Sequence, residues 1–269
     1  MISHQIGICS WSLRPESPEA LVLDVEACGV TAVQLALVPL DVDSRWKQCQ
    51  SILSDSGVSI LSGMLEPVGE DYSTLETIAK TGGVRQDSVW PQTLERTKRS
   101  AQIASDLELS LVTFHAGFLP HEVSQERTKM LDRLGEIADI FEENEIEIAF
   151  ETGQENAEVL SGVLEELTHP NIGVNFDPAN MILYGQGDPV GAIKGLEPWV
   201  RQVHIKDAIA PEVAGTWGSE VVVGTGDVDW NSFLAAIPQG VDLVIEREAG
   251  ESRVSDIQTA IAFLEERGC

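Results

Sequence analysis

The sequence predicts a single (β/α)₈ barrel. Short apolar runs alternate with longer amphipathic segments from end to end, and eight such runs fit into the 269 residues. No linker, low-complexity tract or charge block divides the chain, so residues 1–269 read as one domain. A chain of this length buries roughly three quarters of its unfolded surface, enough for one large core. An open doubly wound sheet would need a Gly-rich phosphate turn after an early strand. The first strand instead ends in Cys9-Ser10-Trp11-Ser12, and Gly224-Thr225-Gly226 on its own is a weak signal.

The expected strands are Gln5–Ser10, Ala32–Ala36, Ser59–Met64, Leu111–His115, Glu147–Glu151, Gly173–Asp177, Gln202–Lys206 and Leu243–Glu246. Between them, Ser17-Pro18-Glu19 supplies an N-cap, a first-turn proline and an early acid, and Gly29 stands where a C-cap glycine belongs. Ser44–Ser56, Pro91–Leu107, His121–Glu143, Asn156–Leu167, Pro189–Leu196, Trp230–Ala236 and Ser252–Arg267 read as further helices. The connection from Glu66 to Trp90, with Pro67, Gly69, Gly82 and Gly83, is roughly twice the usual βα length. Residues 67–90 therefore read as a lid insertion with its own short helix at Thr74–Thr81.

Composition narrows the partners. With 17 Lys+Arg against 44 Asp+Glu the formal charge is −27, and such a field repels nucleic acid and anionic membranes alike. The 43% hydrophobic content excludes a wholly disordered acidic chain. The first residues, Met1 to Ile6, carry no basic targeting region, and no apolar run is long enough to span a bilayer. Four cysteines (Cys9, Cys28, Cys49, Cys269) form no CxxC and are too sparse for a disulfide framework. A cytoplasmic protein with reduced thiols is the expectation.

Strand residues alternate between the barrel interior and the helix layer. In the fifth strand Glu147, Ala149 and Glu151 share the polar parity; in the sixth, Asn175 and Asp177; in the seventh, Gln202, His204 and Lys206; in the eighth, Glu246; in the fourth, Thr113 and His115. Carboxylates buried in a barrel mouth cost several kcal/mol each unless paired or metal-bound. Glu151, Asp177 and Glu246 have only His204 and Lys206 to compensate them. One divalent cation solves the problem: three carboxylates and an imidazole form a mixed O/N set that suits Mn²⁺ best, with Mg²⁺, Co²⁺ or Zn²⁺ as alternatives.

Five segments then carry a resemblance: Phe150-Glu151-Thr152, Asn175 to Asn180 (NFDPAN), Val203-His204-Ile205-Lys206-Asp207, Gly224 to Trp230 (GTGDVDW) and Ile245-Glu246. In this order the chain resembles the xylose isomerase-like TIM barrels, the sugar phosphate isomerase/epimerase group that includes ketose 3-epimerases. The resemblance implies that Glu151, Asp177, His204 and Glu246 are metal ligands and that Glu151 and Glu246 are the acid/base pair. The chain departs from the epimerase pattern at Asn180, where a histidine is frequent, and after Asp207, where Ala208-Ile209-Ala210-Pro211 supplies no arginine. Gln34 also stands where a second-strand acid is common.

The implied chemistry is metal-assisted enolisation of a sugar or polyol ketone, with Glu151 and Glu246 removing and returning a carbon-bound proton. Return to the opposite face gives epimerisation, return to the neighbouring carbon isomerisation, and loss of a β-hydroxyl a dehydratase of the inosose type. A non-catalytic sugar-binding barrel is a third possibility. An endonuclease IV-type enzyme would need more than five histidines and a basic face. His115, Asn180, Lys206, Trp11 and Gln154 are the expected substrate contacts, with Glu155 and Glu248 close to the ligands. The cations near strand ends are Lys206, Arg201 and Arg247, and parity turns the last two outward, which favours an uncharged substrate. Barrels of this type often form homodimers.

Overall fold

The computed structural model describes residues 4–213 and 215–269. Met1 to Ser3, at the head of the stretch read for targeting signals, and Ala214 lie outside the described residues. Eight parallel strands close into a barrel: β1 (Ile6–Cys9), β2 (Ala32–Ala36), β3 (Ser59–Met64), β4 (Leu111–Phe114), β5 (Glu147–Glu151), β6 (Ile172–Phe176), β7 (Val200–Ile205) and, after an antiparallel hairpin of β8 (Asp207–Ile209) and β9 (Ser219–Val221), β10 (Asp242–Ile245). Around the barrel the strands follow sequence order, and β10 closes against β1 with Ile8 opposite Ile245. The hairpin was not read from the sequence, because each of its strands is only three residues long.

Capping chemistry sets the helices as expected. Ser17 Oγ accepts from Ala20 N, Pro18 opens the helix, and Gly29 closes it in the left-handed conformation at φ 85°. The expected Ser44–Ser56 helix divides into a 3₁₀ turn, Ser44–Trp46, and a helix over Cys49–Asp55. Asp43 causes the break by capping Arg45 N and binding its guanidinium, so the turn closes there and buries Trp46. The helix expected from His121 starts at Gln125, since Ser124 takes the cap by accepting from Arg127 N.

Apolar strand residues of the other parity, Val112, Phe114, Ile148, Phe150, Val174, Phe176, Val203, Ile205, Leu243 and Ile245, are buried between barrel and helices. Phe114 and Phe150 pack edge to face at 5.4 Å. Each such side chain contributes about 1.5–3 kcal/mol through burial, so the barrel mouth rests on a rigid wall.

The barrel interior is polar. Gln34, Ser62, Thr113, Asn175, Gln202 and His204 are all buried there. Gln34 Nε2 donates to Thr113 Oγ1 at 2.7 Å, Ser62 Oγ to Gln202 Oε1 at 2.5 Å, and Gln202 Nε2 to Asn175 Oδ1 at 3.2 Å. A buried amide is tolerated when its hydrogen bonds are made, and this layer forms the floor beneath the strand ends.

The 67–90 segment contains a helix, Leu75–Thr81, with a capping box between Thr74 and Thr77. It is anchored beside β4: Val84 N donates to Ala116 O, and a Cβ on Gly83 (φ 62°) would lie 2.0 Å from that same oxygen. Only glycine permits this approach.

Candidate metal centre and cavity

Glu151 ends β5, Asp177 follows β6, His204 lies on β7, and Glu246 follows β10. Their ligand atoms all lie within 4.8 Å of one another, and all four residues are buried. From His204 Nδ1, Glu151 Oε1 and Glu246 Oε2 are each 3.5 Å away and Asp177 Oδ2 3.8 Å. The sequence-predicted set is therefore one cluster.

Local chemistry aims each group. Asp177 is the N-cap of the Pro178–Tyr184 helix: Oδ1 accepts from Asn180 N at 2.9 Å, which turns Oδ2 towards His204. Thr152 Oγ1 accepts from Asp177 N and donates to Asp177 O, tying the ends of β5 and β6 together. Asn180 Nδ2 donates to Glu151 Oε1 at 2.8 Å. Trp11 Nε1 donates to Glu246 Oε1 at 2.6 Å, and Lys206 Nζ to Glu246 Oε2 at 2.8 Å. On the far side of His204, Nε2 sits 2.7 Å from Gln34 Oε1 and 3.0 Å from the Asn175 amide. Assigning the Nε2 proton to the Gln34 bond leaves Nδ1 with its lone pair towards the carboxylates.

Glu151 Oε2, Asp177 Oδ2 and His204 Nδ1 are buried without any hydrogen-bond partner among the described residues. Asp177 Oδ2 and His204 Nδ1 face each other at 3.8 Å, while Glu151 Oε2 turns towards His115. Orphaned polar atoms of this kind are costly unless something fills the space between them. With His204 neutral, three carboxylates against one ammonium leave two uncompensated negative charges, which one divalent ion would neutralise. Without an ion, burial opposes the charge on His204, yet Glu151 and Glu246 overcome it and hold the pKa well above its ordinary value, so the imidazole carries a proton that the ion would displace. Donor set, charge and orphaned atoms all fit a divalent cation.

Burial raises the carboxyl of Asp177 above its ordinary range, with Lys206 and His204 only partly opposing it. Burial acts the same way on Glu246, yet there Lys206 and His204 outweigh it and hold the carboxyl well below the usual range. Desolvation opposes the charge on His115, but Glu151 and Glu70 prevail and raise its pKa.

A cavity of about 590 Å³ opens above the cluster. Of the residues read as substrate contacts, Trp11, His115, Asn180 and Lys206 line it, and Gln154 is buried outside the lining. Glu155 also stands apart from the ligands, its Oε1 accepting from Leu119 N, whereas Glu248 accepts from Lys206 Nζ at 2.7 Å. Arg201 pairs with Glu147, and Arg247 with Glu220 and Asp256, so Lys206 is the one lining cation among the described residues. Sequence reasoning missed Tyr72, Tyr184 and Trp217, which line the outer half. Their aromatic character was the available signal, but only the tertiary structure gathers three such distant positions.

Gln34, which stands where a second-strand acid is common in the family it resembles, belongs to the polar floor beneath His204. No helix among the described residues is long and apolar enough to cross a membrane.

A family model described as xylose isomerase-like TIM barrel matches residues 22–267. No curated protein sequence matches the chain. Among solved structures, a xylose isomerase domain protein from Planctomyces limnophilus is similar at 26% identity and TM-score 0.88, over 99% of this chain and 97% of that one. The probable 3-DHS dehydratase AsbF from Bacillus anthracis is similar at 18% identity and TM-score 0.77, over 98% and 100%. D-psicose 3-epimerase from Clostridium cellulolyticum H10, solved with D-tagatose, is similar at 14% identity and TM-score 0.71, over 97% and 98%.

Proposed function

The chain belongs to the xylose isomerase-like TIM barrel family, and from that premise we propose a divalent-metal-dependent sugar isomerase or epimerase acting on an uncharged sugar or polyol ketone. One observation carries the reading: four buried ligand atoms converge at the mouth of the barrel, and two of them, Asp177 Oδ2 and His204 Nδ1, have no hydrogen-bond partner among the described residues. Glu151, Asp177, His204 and Glu246 would hold the ion, Mn²⁺ being the best match to this O/N set. When bound, such an ion supplies Lewis-acid polarisation of a carbonyl and its neighbouring hydroxyl.

The chain's own groups supply the rest. Glu246, kept ionised by Lys206 and His204 and fixed through both oxygens by Trp11 and Lys206, is the base that takes a carbon-bound proton. Glu151 stands across His204 from it and, in its protonated form, delivers a proton of its own to the carbon, while the proton taken by Glu246 passes to solvent. His115, its Nε2 3.7 Å from Glu151 Oε2 and its Nδ1 unpartnered, faces the cavity as a hydrogen-bond donor to developing oxyanion charge. Lys206 is already engaged by Glu246, Glu248 and Asn180, so among the described residues no free ammonium or guanidinium remains on the wall for a phosphate or carboxylate. That supports a neutral substrate.

A second reading has its own observation. His115, with its raised pKa, is suited to protonate a departing hydroxyl, which would make the reaction a dehydration. A dehydratase and an epimerase both occur among the structural neighbours.

The test is a deuterium wash-in screen over ketoses, aldoses and inososes with Mn²⁺ present. Exchange at a substrate carbon with an isomeric product supports the isomerase or epimerase; loss of water supports the dehydratase. No exchange with any member, together with no divalent metal retained after purification in metal-supplemented buffer, would sink the proposal. Ligand binding without exchange would instead identify a non-catalytic barrel.

A further inference from the structure

The cavity is chemically two-sided, and one helix spans both sides. The Pro178–Tyr184 helix begins at the Asp177 cap, presents Asn180 beside Glu151, and ends at Leu183 and Tyr184 on the outer wall. Seven residues at the helical rise separate Asp177 from Tyr184 by about 10 Å. That is longer than one sugar ring. Around Tyr184 the lining turns aromatic: Trp217 lies 4.8 Å away between ring centroids, and Phe118 packs behind at 5.6 Å. Tyr72, from the 67–90 insertion, stands 6.0 Å from the His115 ring and is 44% exposed.

Three of the lining acids in this outer half are already committed, and Glu66 stands exposed at the rim. Glu70 accepts from Gly83 N, Glu220 holds Arg247 and the backbone at Glu248 and Ala249, and Glu248 holds Lys206. Apart from Glu66, what remains on offer is aromatic faces and aliphatic surface from Met64, Val38 and Leu183. The volume, about 590 Å³, lies in the range that receives drug-sized ligands rather than the smallest metabolites.

We propose that the substrate is a substituted polyol, its hydroxylated end at the metal cluster and an aromatic or similarly flat apolar substituent received by Tyr72, Tyr184 and Trp217. The hydroxylated end rests on the function proposed above; the apolar end rests on the wall alone. Flat rings are favoured there because they bury apolar area and meet the aromatic side chains in offset or edge-to-face contact.

Calorimetric titration tests this with matched phenyl and methyl glycosides of several hexoses and pentoses, each in Mn²⁺ and again in EDTA. The expected result is phenyl glycosides binding about tenfold tighter than their methyl partners, a preference that Trp217→Ala and Tyr72→Ala each cut several-fold and Tyr72→Phe restores. Equal affinity within the pairs, no detectable phenyl-glycoside binding, or an unchanged preference in both alanine variants overturns the proposal. The two readings fail separately. A phenyl preference that is the same in Mn²⁺ and EDTA, with no metal bound, removes the metal-dependent function and leaves the apolar subsite standing. Mn²⁺ binding without a phenyl preference does the reverse.

Discussion

His204 Nε2 lies 2.7 Å from Gln34 Oε1, a contact that joins β7 to β2 across the barrel interior and decides which imidazole nitrogen faces the carboxylates. Gln34 is itself fixed by its bond to Thr113. The outer partner of a ligating histidine sets ring orientation and tautomer, and its loss typically costs 10–100-fold in metal affinity. Gln34→Leu is therefore expected to weaken Mn²⁺ binding by about that factor, while Gln34→Glu, which keeps the acceptor, retains it. Calorimetric metal titration reads the difference, and equal affinities in the two variants would refute the role.

Lys206 is the ammonium that offsets Glu246 and approaches Asp177 at 3.8 Å. It is 2% exposed, so its removal leaves carboxylates buried without compensation. Breaking a buried pair from one side costs about 3–5 kcal/mol. Lys206→Met is expected to lose that order of stability in EDTA and to recover much of it in saturating Mn²⁺, because the ion supplies the missing charge. Denaturant unfolding in the two buffers measures both effects. A variant equally destabilised with and without metal would show that Lys206 acts by packing alone.

Barrel and buried acidic cluster were legible in the sequence for the same reason. Strand parity is strict, so a polar residue ending an otherwise apolar strand must point inward, and the closed barrel brings Glu151, Asp177, His204 and Glu246 together. The 3₁₀ break at Ser44 and the delayed helix start at Gln125 escaped because competing caps at Asp43 and Ser124 differ little in sequence from ordinary surface residues. The aromatic wall was hidden more deeply. Tyr72, Tyr184 and Trp217 come from three separate segments, and nothing in their spacing announces that the insertion folds back beside β4.

Gly224-Thr225-Gly226, weak as a phosphate signature, binds a carboxylate from its own chain. Asp207 Oδ2 accepts from Gly224 N at 2.9 Å, Gly226 N at 3.0 Å and Trp230 Nε1 at 2.9 Å, and Oδ1 accepts from Ala208 N at 2.9 Å. A Cβ on Gly226 would lie 2.2 Å from Oδ1, so the loop closes on Asp207 only with glycine there. Asp207→Asn exchanges one acceptor oxygen for a donor that faces other donors, at about 1–3 kcal/mol for each buried donor left unpaired. The expected result is a marked fall in Tm and faster proteolysis within residues 207–230. An unchanged Tm would mean that the loop is held from elsewhere.

Glu155 gives the protein a pH dependence that lies outside the four-residue cluster of Glu151, Asp177, His204 and Glu246. Burial lifts its carboxyl from an ordinary 4.5 to about 8, only partly opposed by the bond from Leu119 N and by His115. The folded state thus holds a proton that the unfolded chain releases near its ordinary pKa. The stability linked to this group is fully present below about pH 4.5 and is lost as pH rises towards 8. Glu155→Gln preserves an oxygen to accept from Leu119 N but cannot ionise, so its contribution is flat across that window. Relative to the variant, the native chain should lose on the order of a few kcal/mol between those limits, read by urea unfolding at half-unit pH steps. Parallel stability curves for the two proteins would show that Glu155 ionises as freely in the folded chain as in the unfolded one.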